Sequence, residues 1–75
     1  MQALVYIRTE PGKALKLLDA VKKIQGVQAA FATTGRFDIV ARIEAADLKA
    51  LGETIVGKIQ SLQGVKYTET SLIVA

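Results

Sequence analysis

The sequence predicts an α+β fold of the ferredoxin-like type, β-α-β-β-α-β. Its four strands form an antiparallel sheet and both helices cover one face of that sheet. Three observations lead there. Apolar residues alternate at period two or run together in four short segments, and recur at three and four in two others. The stretch "KKIQGVQAAFATT" is echoed 38 positions later by "QSLQGVKYTETSL", each a helix end, a Gly, a Val and a strand. The length of 75 residues, with 51% hydrophobic and 23% charged, fits one domain spanning residues 1–75.

The first strand is "QALVYIR" (2–8), with Ala3, Val5 and Ile7 on one parity and Leu4 and Tyr6 on the other. "TEPG" (9–12) breaks it, and Pro11 suits the first turn of a helix, where a missing N–H costs nothing. From Lys13 to Gln25 the period changes. Ala14, Leu17, Leu18, Val21 and Ile24 share a helical face, with most of the charges opposite. Gly26 ends that helix.

A second strand, "VQAAFATT" (27–34), and a third, "FDIVARIE" (37–44), read as a hairpin about a short turn at Gly35-Arg36. Gly35 supplies a positive φ there. Phe37, Ile39, Ala41 and Ile43 fall on one parity of the third strand, and Asp38, Val40, Arg42 and Glu44 on the other. Asp47 is placed to cap a second helix. Leu48, Leu51, Ile55, Ile59 and Leu62 form its apolar stripe, with Val56 beside it. Gly52 and Gly57 each cost that helix about 1 kcal/mol relative to Ala. They are either simply tolerated or mark close approach of a neighbouring backbone. "VKYTETSLIVA" (65–75) closes the chain as a fourth strand. Two βαβ halves with right-handed crossovers place strands one and three in the centre, in the order 4-1-3-2.

Such a sheet normally shows water a polar second face. Here the first strand is apolar on both parities, the third adds Val40, and the last has Leu72, Ile73 and Val74 in a row. Uncovered, that face is an exposed patch of several hundred Å². A homodimer joined sheet to sheet is expected, with higher assembly open to it. A chain this short buries only about 60% of its unfolded surface, and oligomerisation is a common remedy.

Composition narrows the chemistry. There is no Cys and no His, so disulfides are excluded and the commonest metal ligands, general base and strong nucleophile are missing. Asp38 and Glu44 share a parity but lie about 20 Å apart at strand rise, too far for paired acid–base work. No enzyme activity, cofactor or metal is expected. Net charge is +3 with the basic residues dispersed, unlike the dense stripe of a nucleic-acid binder. No apolar run approaches a membrane span, and "MQALVYIRTE" lacks the features of a secretory leader, so a cytoplasmic location is expected.

A binding module remains. Thr33, Thr34, Gly35 and Asp38 gather hydroxyls, backbone N–H groups and a carboxylate at the hairpin turn, and Thr68, Thr70 and Ser71 add hydroxyls on the last strand. Exposed N–H groups suit the carboxylate of a zwitterion and Asp38 its ammonium. Asp38 equally suits a purely local role, accepting from turn N–H groups. Both roles stay open.

With these residues in hand, the chain resembles the ligand-sensing domain of the Lrp/AsnC transcriptional regulators, the RAM domain. "TTGRFDIVARIEAAD" is similar to that family's Thr-Gly-x-aromatic-Asp turn and strand, and "IQSLQGVKYTETSLIV" to its helix, Gly-Val and Thr-rich closing strand. The resemblance implies sheet-to-sheet dimers, assembly into octamers or similar rings, and an amino acid or related metabolite held between subunits. It implies ligand contacts at Gly35, Phe37, Asp38, Thr68 and Thr70, to which the chemistry of the turn itself adds Thr34. The regulators carry a helix-turn-helix domain ahead of this one. Here the first strand follows Met1 at once, so a stand-alone form is expected, which binds no DNA itself and modulates full-length regulators by mixed assembly. Two alternatives share the topology. One is an ACT-type module, whose Gly-rich turn after the first strand "TEPGK" partly fits. The other is a dimeric αβ-barrel enzyme using Tyr6, Arg8 and Arg42.

Overall fold

A computed structural model describes residues 1–75. The elements run β1 (Gln2–Thr9), α1 (Ala14–Lys22), β2 (Val27–Ala32), β3 (Ile39–Glu44), α2 (Leu48–Thr54) continued by a π-helical turn (Ile55–Ile59), and β4 (Val65–Ile73). The sheet order is β2-β3-β1-β4, every pairing antiparallel, which is the predicted order counted from the other edge.

Register decides the faces. Ala3, Val5 and Ile7 of β1 stand opposite Ile43, Ala41 and Ile39 of β3, and all six are fully buried. Leu17 and Val21 from α1, Leu51, Ile55 and Ile59 from α2 and its π turn, and Ala30 complete the core. The helices therefore cover the face that period two assigned to them. On the open face, Leu4, Tyr6 and Val40 are half-buried, while Phe31 is 60% and Tyr67 55% exposed.

Asp47 caps α2 as expected. Its backbone is extended and its carboxylate accepts the Ala50 N–H at 2.8 Å. Gly26, at φ +99°, is required twice over, because a Cβ there would lie 3.1 Å from the Glu44 carbonyl oxygen.

Several boundaries differ from expectation. Pro11 stands in a turn ahead of α1, and Lys13 occupies the N-cap without a side-chain bond. The helix stops at Lys22 rather than Gln25, because Lys23 and Ile24 donate to Ala20 and Val21 in tighter i→i−3 bonds. The hairpin link is not two residues but the whole segment 33–38. Leu48, expected on the apolar stripe, is 61% exposed, and Val56 is exposed too. Leu48 opens the first turn, where side chains lean towards the helix N-terminus and so overhang the end of the core. Beyond Thr54 the helix widens: Gln60 N–H reaches Ile55 O at 2.8 Å, an i→i−5 bond. Periodicity alone gave no sign of it.

Replacing Ile59, which is fully buried, by Ala is expected to cost about 2–5 kcal/mol of stability, whereas Leu48→Ala is expected to stay within about 0.5 kcal/mol. Chemical denaturation of the two variants against the wild type checks both values.

Candidate functional site

The 33–38 loop is closed by its own ends. Thr33 N–H donates to Asp38 O at 2.9 Å, and Thr33 Oγ1 donates to Phe37 O at 2.9 Å. Gly35 sits at the tip at φ +98°, a conformation that side chains rarely adopt, with open space where a Cβ would stand. Thr34, Gly35 and Arg36 are exposed.

Asp38 holds this loop to the centre of the sheet. Its N–H donates to Ile7 O at 2.9 Å. Its Oδ2 accepts from Thr9 N–H at 2.7 Å and from Thr9 Oγ1 at 3.2 Å. Thr9 is the one buried polar residue of the chain, so its N–H and hydroxyl require such an acceptor. The local role left open by the sequence is thus real, but the donors belong to β1 rather than to the turn. Both side-chain bonds fall on Oδ2, and Oδ1 takes none from the chain.

Phe37 departs from its expected face. It precedes the β3 ladder, so the alternation that buries Ile39 does not reach it. Its ring packs instead against two residues of the open face, Tyr6 at 5.4 Å and Tyr67 at 6.3 Å between centroids. The Arg36 guanidinium lies 6.0 Å from the Phe37 centroid, and Arg8 Nε donates to Arg36 O at 3.1 Å. One end of the open face therefore combines three aromatic rings and two arginines, while the Asp38 carboxylate turns to Thr9 at the end of β1.

The last strand contributes Tyr67 to this cluster, but its two threonines stand apart from it. Thr68 and Thr70 pair with Ile7 and Val5, which puts them on the helix-bearing side of the sheet edge. Thr68 Oγ1 accepts from Gln60 Nε2 at 2.7 Å, and Thr70 is exposed. A cavity of about 370 Å³ lies beside them, lined by Gln60, Val65, Lys66, Tyr67 and Thr68. A second, of about 260 Å³, is lined by Lys13, Lys16, Leu17, Ala20 and Gln63. Neither is lined by the 33–38 loop. With β1 between them, the backbones at Asp38 and Thr68 are two strand spacings apart, about 10 Å.

The structure thus brings Thr34, Gly35, Phe37 and Asp38 together and leaves Thr68 and Thr70 as a second group. The sequence reading missed three contributors: Thr9, Tyr67 and Gln60. Thr9 could have been found by extending the odd parity of the first strand one step into "TEPG". Gln60 carried no signal, since its place depends on the π turn. No three acidic side chains gather where they could share a metal ion, and no helix is long and apolar enough to cross a membrane.

This sheet, with a ligand-sized cavity at its edge and an anchored Gly-Asp loop, is that of a small ferredoxin-like binding domain. Residues 2–75 match the Lrp/AsnC ligand binding domain, and the chain belongs to that family. It is 31% identical over 74 residues to the HTH-type transcriptional regulator LysM of Sulfurisphaera tokodaii, a match covering 97% of this chain and 52% of LysM. Among solved structures it resembles TTHA0845 from Thermus thermophilus, with a TM-score of 0.93, 31% identity, and coverage of 99% of this chain and 92% of that one. It also shares its fold with the transcriptional regulator NMB0573 of Neisseria meningitidis, solved as a complex with L-Met, at TM-score 0.88 and 22% identity, covering 99% of this chain and 49% of that one. The chain spans about half the length of the curated relatives it matches.

Asp38→Ala removes a charge-assisted acceptor from a buried donor, and a loss of about 1.5–3 kcal/mol is expected. In a double-mutant cycle with Thr9→Val, the two effects should fall short of additivity by at least about 0.5 kcal/mol. Urea unfolding of the four proteins measures it.

Proposed function

We propose that residues 1–75 form one amino-acid-sensing and oligomerisation unit that binds an amino acid or related metabolite between subunits. The observation that carries this is the division of labour at Asp38. Oδ2 is spent on Thr9, which fixes the loop, and Oδ1 takes no hydrogen bond from the chain and is left as an acceptor. An anchored carboxylate with a free oxygen suits an ammonium group, and the Phe37 cluster suits an apolar side chain. Membership of a ligand-binding family and the L-Met complex of a structural neighbour support the same class of ligand.

The candidate groups lie on either side of β1, and in this reading the ligand is held between copies of the chain. Thr34, Gly35, Phe37 and Asp38 of one subunit face Thr68 and Thr70 of another. The open sheet face, with Leu4, Tyr6, Phe31, Val40 and Tyr67 on it, packs on its equivalent in a homodimer, and dimers join into an octamer or similar ring. In this reading the domain acts in the cytoplasm, binds no nucleic acid or membrane itself, and influences full-length Lrp/AsnC regulators by mixed assembly. Catalysis has no part in it. Of the residues an enzyme would draw on, Tyr6 is packed on Phe37 and Arg8 is held by the Arg36 carbonyl.

A thermal-shift screen of the twenty amino acids on the wild type tests this. At least one should raise the melting temperature, and Asp38→Asn should weaken that response by about tenfold in concentration. No shift with any of the twenty would leave only a structural assembly role.

A further inference from the structure

The cavity of about 260 Å³ belongs to neither group of candidate ligand contacts. It lies between α1 and the turn that precedes β4, and is lined by Lys13, Lys16, Leu17, Ala20 and Gln63. Its polar lining is two ammonium-bearing side chains and one amide, and no carboxylate is among them. The two walls are fixed to each other. Glu10 N–H donates to Gly64 O at 2.9 Å, and Val65 N–H donates to Leu62 O at 3.2 Å, closing a tight turn with Gln63 inside it. Gly64, at φ +103°, stands hard against the helix, since a Cβ there would lie 3.1 Å from Leu17 Cδ1 and 3.6 Å from Lys13 Cγ. The stem of Lys13 is therefore packed on backbone, which limits where its ammonium can reach.

Helix energetics do not account for the two lysines. Positions three apart are neighbours on a helix, so Lys13 and Lys16 repel each other. Both stand at the positive end of α1, whose first turn holds no acid. The isolated chain carries both costs, and an anion held in the cavity between the two ammonium groups offsets them. The cavity also stays accessible in a homodimer joined through the open sheet face, because α1 covers the opposite face.

We propose that this cavity is a site for a phosphomonoester dianion. Lys13 and Lys16 are its counter-charges, Gln63 a hydrogen-bond donor, and Leu17 and Ala20 the apolar floor under the rest of the ligand. A phosphomonoester suits two point charges better than a carboxylate does, since near neutral pH it carries a charge of about −1.5 to −2 and three strong acceptor oxygens. The site shares no residue with the amino-acid reading and stands independently of it.

Titrating the ¹⁵N-labelled protein with glycerol phosphate, against sodium chloride at equal ionic strength, tests the site. Saturable NMR shifts are expected at the amides of Lys16, Leu17 and Ala20 and at the side-chain amide of Gln63. Lys13→Gln and Lys16→Gln should each weaken binding about fivefold. Lys22→Gln, on the same helix but outside the cavity, should leave binding unchanged. Ala20→Leu fills the cavity without changing charge, and should abolish binding with the circular-dichroism spectrum unchanged. The lysine variants, at exposed positions, decide the matter alone if Ala20→Leu does not fold. Shifts matched by chloride, equal weakening by Lys22→Gln, or undiminished binding in Lys13→Gln and Lys16→Gln or in a folded Ala20→Leu would overturn the site. Tighter binding of a short DNA duplex through the same amides would also overturn it, making the surface a nucleic-acid contact.

Discussion

A single layer of helices over a sheet that is apolar on both sides is the constraint from which the rest follows. β1 sets it. Its odd residues, Ala3, Val5 and Ile7, are fully buried beneath the helices, while its even residues include Leu4 and Tyr6 on the other face. A central strand buried on both sides reads as continuous apolar sequence, as "ALVYI" does. In the isolated chain the second face has no cover. Phe31 and Tyr67 lie there more than half exposed, which is costly for residues that gain about 1.5–3 kcal/mol when buried. The same face ends at the aromatic cluster of Tyr6, Phe37 and Tyr67, so whatever covers it also forms a wall of the candidate site.

The loop is subject to a second constraint, a buried polar residue at the end of β1. Thr9 brings an N–H and a hydroxyl into the core, and the carboxylate of Asp38 satisfies both. That arrangement ties the 33–38 loop to the end of the central strand β1. A binding group on a loop is imprecise unless its rotamer is locked by such support. The anchoring role of Asp38 and the ligand role proposed for it therefore do not compete, because Thr9 occupies only Oδ2.

How far the sequence was legible depended on whether local pattern or long-range geometry decided each feature. Strand identity, sheet order and the buried faces of β1 and β3 follow from period two and right-handed crossovers, and were readable. The N-cap at Asp47 and the positive φ at Gly35 were readable from residue chemistry. The π turn was not, since Ile55 and Ile59 are buried at a spacing that an α-helix also satisfies. Nor was the face of Phe37, which the pattern extended one step past the point where the ladder ends. At the site, Gly35 and Asp38 stood out as residue types, whereas the partner of Asp38 is 29 positions away and only the fold reveals it. The separation of Thr68 from Asp38 likewise depends on β1 passing between them.

The central claim is that the open sheet face is covered by a second copy of the chain. Sedimentation-velocity ultracentrifugation of the purified chain at micromolar concentration measures this most directly. The account predicts a folded particle of at least twice the 8.0 kDa chain mass. A folded species that remains at the mass of one chain across that concentration range would contradict it.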